Sequence, residues 1–209
     1  MLRDRRRLAG EEQGCGDPDD VPQVRRFKLP NARLLSPLWH GDECVGLSGL
    51  YSVVNGIRLA LAHKHQFSGP ELHALITAGL RFMDGRLTPQ RAVACGLRVQ
   101  LWRRLVEALA SRTSHRSRLF VCVDRVFVRP QGRAAAWAAV EEQIDAWRPV
   151  LTLMQGGRYS VVSGYTDASF LLFDSSGACW ISKRVTGVPG DCEGARHVIY
   201  PTSFLALRA

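Results

Sequence analysis

Between residues 150 and 200 the chain is written in short β-forming runs punctuated by turn residues, and no other stretch restricts the fold as much. The tightest part is the block from Gly157 to Asp174. It offers an alternating run, a Gly-Tyr-Thr-Asp-Ala-Ser hairpin and a second apolar run closing on aspartate. Extended with residues 150–154, 179–183 and 197–200, it predicts an antiparallel meander.

The preceding half carries a different period. Leu50, Val53, Val54, Ile57 and Leu61 recur as one helical face over residues 47–62, which puts Ser48 at or next to the N-cap. Ser68-Gly69-Pro70-Glu71 is a capping-box pattern with proline just inside, opening a second helix to about Met83. Thr88-Pro89 opens a third, and residues 97–111 a fourth. Residues 119–128 are β-rich and predict a strand, whereas 132–148 return to helix and stop before Pro149. Helices first and antiparallel strands later is the α+β order.

At 209 residues with 46% hydrophobic content, the chain suits one domain with a sizeable core. Residues 1–25, basic at Arg3 to Arg7 and then rich in Gly, Asp and Glu, read as a disordered arm, which leaves 26–209 as the single domain. No stretch approaches the ~20 apolar residues of a membrane span. The N-terminus lacks the apolar core of a secretory signal, so a cytoplasmic location is expected. Six cysteines without C-x-x-C spacing fit reduced thiols, and no cofactor or metal site is expected. The net charge of +9 asks for an acidic partner or for solubility alone. Nucleic acid is a candidate partner through a basic surface, yet arginines such as Arg98, Arg103 and Arg104 sit at helical spacing and also read as a solvated face. No phosphate loop, zinc-finger spacing or RNA-binding aromatic motif is present.

Two segments about a hundred residues apart resemble the two halves of a papain-like cysteine peptidase site, most closely the branch with bacteriocin-processing and related bacterial peptidases. There the nucleophile helix opens with Cys-Gly and the base strand reads His-aromatic-x-Val-Val-x-Gly-Tyr. Here the helix opens Ser48-Gly49 and the strand reads Arg158-Tyr159-Ser160-Val161-Val162-Ser163-Gly164-Tyr165. The resemblance implies a papain-like fold, with an N-terminal helical half, a C-terminal sheet half and a cleft between them. It also implies Asp174 as the third position, and Asp42 where the family places its oxyanion glutamine. The nucleophile, the base and the oxyanion donor are all exchanged, whereas Asp174 fits its position. Arginine stays protonated and cannot take a proton from Ser48, and a carboxylate at Asp42 would repel an oxyanion. A trapping mutation would change the cysteine alone, so the site reads as naturally degenerate, with Arg158 expected to pair with Asp174.

The expectation is an inactive pseudopeptidase that keeps its groove for another protein's tail or loop, or serves as a subunit of a larger bacterial assembly. The alternative is an active peptidase or acyltransferase using Cys44 or Ser48, with a histidine such as His40 or His197 brought in by the fold. Asp42 and Glu43 would hold the Cys44 thiolate back. His63 and His65 suit a helix C-terminus, and the five tryptophans read as core or half-buried anchors.

Overall fold

Helix α1 (Ser48–Leu61) is buried at every residue except Tyr51. A helix covered on all sides belongs in the middle of a domain, and the rest of the fold is arranged around it. The structure, a computed structural model, describes residues 26–29, 35–38, 47–84, 86, 97–117, 119–126, 132–174 and 177–209. The arm at 1–25 and the helix expected from Thr88 lie outside the described residues.

Helix α2 (Gly69–Asp84) begins as its capping box predicts. The Ser68 N–H donates to Glu71 Oε2 at 2.7 Å, and the Glu71 N–H returns to Ser68 Oγ at 3.4 Å. Helix α3 (Val99–Ser117) runs past the expected end at Ser111. Its late hydroxyls bond back along the helix, Thr113 Oγ1 to Leu109 O at 2.9 Å and Ser114 Oγ to Ala110 O at 3.0 Å, so they do not compete with it. Helix α4 (Gly132–Asp145) follows a short strand and precedes the main sheet.

The strands are β1 (Arg26–Lys28), β2 (Cys122–Arg125), β3 (Val150–Met154), β4 (Arg158–Thr166), β5 (Ser169–Asp174), β6 (Gly177–Ser182), β7 (Thr186–Gly187) and β8 (His197–Arg208). Six of them lie in the order β2-β8-β3-β4-β5-β6. All neighbours on that path are antiparallel. Strand β1 adds to β4 beyond the reach of β3, and the two-residue β7 runs parallel to the start of β8. The architecture is α+β, with most of the helix ahead of most of the sheet. Strand β2 is shorter than the run 119–128, of which residues 127–128 lie outside the description.

Two irregularities shape the sheet. Val162 pairs with Leu172 but Gly164 pairs with Leu171, so Ser163 is an extra residue that reverses which side chains face which way. Before it, Tyr159 meets Trp102 of α3 with ring centres 4.4 Å apart. After it, Tyr165 Oη donates to Asp145 Oδ1 of α4 at 2.6 Å. One strand thereby serves cores on both faces, and seven of its nine residues are buried. The second irregularity lies in β8, where Leu153 pairs with Tyr200 and Leu151 with Leu205. The excess chain is held by Ser203 Oγ, which accepts from the Leu153 N–H at 2.8 Å and donates to Tyr200 O at 2.6 Å. That bulge absorbs Pro201 and lets β8 continue to Arg208, past the expected end at Tyr200.

Lys183 fastens α4 to the β4–β5 hairpin. Its Nζ donates to Glu141 Oε1 and to Thr166 O, each at 2.5 Å, and lies 4.7 Å from the Phe170 ring centre.

Trp147 departs from the expected anchor role and is 59% exposed. The end of α4 closes with Trp147 N–H to Ile144 O at 3.0 Å and Arg148 N–H to Gln143 O at 2.9 Å, which forces Trp147 to φ 65. That left-handed position favours glycine. We expect Trp147→Gly to raise stability by roughly 0.5–1 kcal/mol in urea unfolding, since strain is removed and little packing is lost. A clear loss of stability would show that the exposed indole holds something in place.

Candidate active site

The N-terminus of α1 meets the start of β4. Leu47 occupies the cap position and makes no side-chain cap bond. Ser48, expected at or next to the cap, is next to it: it is the first helical residue, and its hydroxyl turns to the sheet. Ser48 is 4% exposed, and its Oγ accepts from the Tyr159 N–H at 3.2 Å. Gly49 makes the approach feasible. A Cβ there would sit 2.8 Å from Leu97 Cδ1, which would have to shift, and 3.2 Å from Tyr159 Cδ2, a tight contact.

Behind this contact the polar atoms are closed into one set. Gly49 O accepts from Trp102 Nε1 at 3.1 Å and from Ser52 Oγ at 2.9 Å. Tyr159 Oη donates to Leu97 O at 2.5 Å. Burial pushes the Tyr159 phenol well above its ordinary range, with the positive charge of Arg103 opposing in part. The phenol is a fixed, neutral donor.

Arg158 is the first residue of β4, half-buried and opposite Met154 of β3. It follows the turn 155–157, in which Gly156 and Gly157 have φ of 80 and 79 and open space where a Cβ would stand. The Tyr159 amide bonded to Ser48 is the peptide group that joins Arg158 to Tyr159, so Ser48 and the Arg158 backbone are neighbours. Asp174 ends β5, the strand beside β4, and the pairing of Val162 with Leu172 directs its backbone toward the first residues of β4. The Asp174 side chain lies outside the description. Asp42, Cys44 and His40 lie outside the described residues altogether.

The histidines are placed elsewhere. His197 starts β8 beside Thr186, at the same end of the sheet but across β3 from β4. His65 closes the end of α1 through its backbone N–H, which donates to Leu61 O at 2.8 Å, while its ring Nε2 meets Glu71 Oε1 of the next helix at 3.0 Å. His73 and His115 are exposed. Trp180, 42% exposed at the sheet edge, has the Lys28 Nζ 5.4 Å from its ring centre. Among the described residues no group of His, Cys, Asp and Glu could hold a metal ion.

The chemistry available here is limited. Among the described residues the Ser48 hydroxyl meets a backbone donor and no imidazole, and the cation at Arg158 cannot act as a base. Trp102 and Leu97 were not read as part of the site. Their signal was the apolar spacing of Trp102, Leu105, Val106 and Leu109, all buried, beneath the arginines of α3.

No family model matches the chain, and no curated protein matches it significantly.

Two expectations follow from this geometry. Ser48→Ala leaves the buried Tyr159 N–H without its acceptor and should lower stability by about 1–3 kcal/mol, read by chemical denaturation. A change within about 0.3 kcal/mol would mean that the hydroxyl is not needed there. The second concerns pH. Because the folded Tyr159 phenol titrates above the unfolded one, its contribution is complete below the ordinary value of about 10 and is lost as pH rises beyond it. The fall in stability above that pH should be shallower in Tyr159→Phe than in the unaltered protein.

Proposed function

We propose that this chain is a catalytically inactive, papain-like pseudopeptidase of a bacterial cytoplasm, in which the former cleft binds a protein tail or loop. The observation that supports the reading is the bond from the Tyr159 N–H to Ser48 Oγ. It joins the two segments that carry the resemblance, the start of the Ser48-Gly49 helix and the start of the Arg158-Tyr159 strand, at one end of the sheet. The alternative of an active enzyme would need a base for Ser48, and the position that would supply it holds Arg158. The open backbone of Gly156 and Gly157, with the cation of Arg158 next in the chain, suits an extended peptide with an anionic group, such as a C-terminal carboxylate. Service as a subunit of a larger assembly is the same reading with a permanent ligand.

The test has a chemical arm and a binding arm. The unaltered protein and Ser48→Cys should neither turn over peptides nor react with an epoxide thiol probe at that position. The double variant Ser48→Cys/Arg158→His should gain labelling that depends on the new cysteine. In fluorescence anisotropy, a peptide pool with free C-termini should bind more tightly than its amidated counterpart, and Arg158→Glu should abolish the difference. Turnover by the unaltered protein that vanishes in Ser48→Ala would refute the pseudopeptidase reading, and equal binding of both pools would refute the carboxylate preference.

A further inference from the structure

Strand β2 ends the path β2-β8-β3-β4-β5-β6, so among the described residues only its β8 side is covered by a strand. The direction of its backbone groups follows from the ladder. The Val126 N–H donates to Phe204 O of β8 at 3.2 Å, in the register that pairs Cys122 with Arg208 and Asp124 with Ala206. Even positions therefore bond to β8, and the odd positions Val121, Val123 and Arg125 turn their N–H and C=O groups away from it. At Val121 the outward N–H is taken by Ser114 Oγ of α3 at 3.1 Å. Val123 and Arg125 form an open edge among the described residues, and an open edge is a template for another strand.

At the head of that edge stands Phe120, 75% exposed and the most exposed large hydrophobic side chain among the described residues. Val126, at the other end, is half-buried, and Cys122 and Arg125 are exposed. A phenyl ring left in water beside an unpaired strand marks an interaction surface.

The strand that fits this edge is β2 itself. An antiparallel ladder bonds residues whose groups point outward on both strands, so odd positions must face odd ones, which leaves registers centred on Cys122, Val123 or Asp124. Centring on Asp124 sets two carboxylates face to face. Centring on Cys122 sets each Asp124 against the other copy's Phe120. Centring on Val123 has neither fault. Val123 then exchanges both of its bonds with Val123 of the second copy, and the Arg125 N–H reaches the second copy's Val121 O, whose own amide is already occupied by Ser114. Phe120 falls opposite the second copy's Val126, an aromatic ring on a β-branched side chain, and no like charges oppose.

We propose that β2 is a self-pairing edge through which two copies of this chain join antiparallel about a two-fold axis at Val123, continuing the sheet from one copy into the other. The interface does not rest on the reading of the Ser48 site.

Sedimentation equilibrium of the full chain in reducing buffer should give twice the chain mass, falling to the monomer on dilution. Val123→Pro removes the central donor, which β8 does not use, so the chain should stay folded and become monomeric. Phe120→Ser takes away an exposed ring and should weaken association at least ~10-fold; it decides alone should Val123→Pro not fold. Crosslinking reads the register. In Asp124→Cys the new thiol meets the second copy's Cys122 in a non-hydrogen-bonded pair with Cα atoms about 4.5 Å apart, within reach of a disulfide. A mild oxidant should then yield a covalent dimer that neither the unaltered protein nor Asp124→Cys/Cys122→Ser gives. The proposal is overturned if the unaltered chain is a monomer at ~100 μM, if association is undiminished in Phe120→Ser or in folded Val123→Pro, or if Asp124→Cys crosslinks no faster than Asp124→Cys/Cys122→Ser.

Discussion

Helix α1 and strand β4 meet where the Tyr159 N–H reaches Ser48 Oγ, and the rest of the structure is organised by that junction. A backbone donor buried in an apolar core needs an acceptor, and a serine in the first helical turn supplies one without disturbing the helix. Gly49 lets the two elements close to contact, and Trp102 covers the joint from α3 by bonding to Gly49 O and packing on Tyr159. Helices and sheet consequently share one continuous hydrophobic core.

The same contact limits the chemistry. A serine hydroxyl becomes a nucleophile when a neighbouring base removes its proton as it attacks. Here the oxygen faces a backbone donor, and the residue preceding that donor is an arginine. On these grounds the contact of Ser48 with the Arg158–Tyr159 peptide is a structural junction between helix and sheet. The extra residue Ser163 supports the arrangement from further along β4, because it turns Tyr165 toward α4 after Tyr159 has faced α3.

What was legible in the sequence followed local physics. The period of Leu50, Val53, Val54 and Ile57 located α1, the Ser68–Glu71 box located the start of α2, and alternation with turn residues located β3 to β6. What was not legible depends on contacts between distant residues. The last strand is expected to end at Tyr200, and only the partnership of Ser203 with β3 shows that it continues through a bulge at Pro201. Trp147 reads as an anchor until the end of α4 forces it to a positive φ. Arg58 reads as one more basic residue in a basic chain. Its hydrogen bond to Ser36 O ties it to segment 35–38, which no periodicity announces.

Native-state amide hydrogen exchange at Tyr159 tests the junction most directly, because it reports on the one N–H that joins the two halves. If Ser48 holds that amide as described, exchange should require global unfolding, and the opening free energy should equal that of the slowest core amides of α1 and β4. Substituting Ser48 by alanine should release Tyr159 to exchange by local opening while its neighbours in the sheet stay protected. Exchange at Tyr159 as fast as in an exposed loop, already in the unaltered protein, would contradict the account.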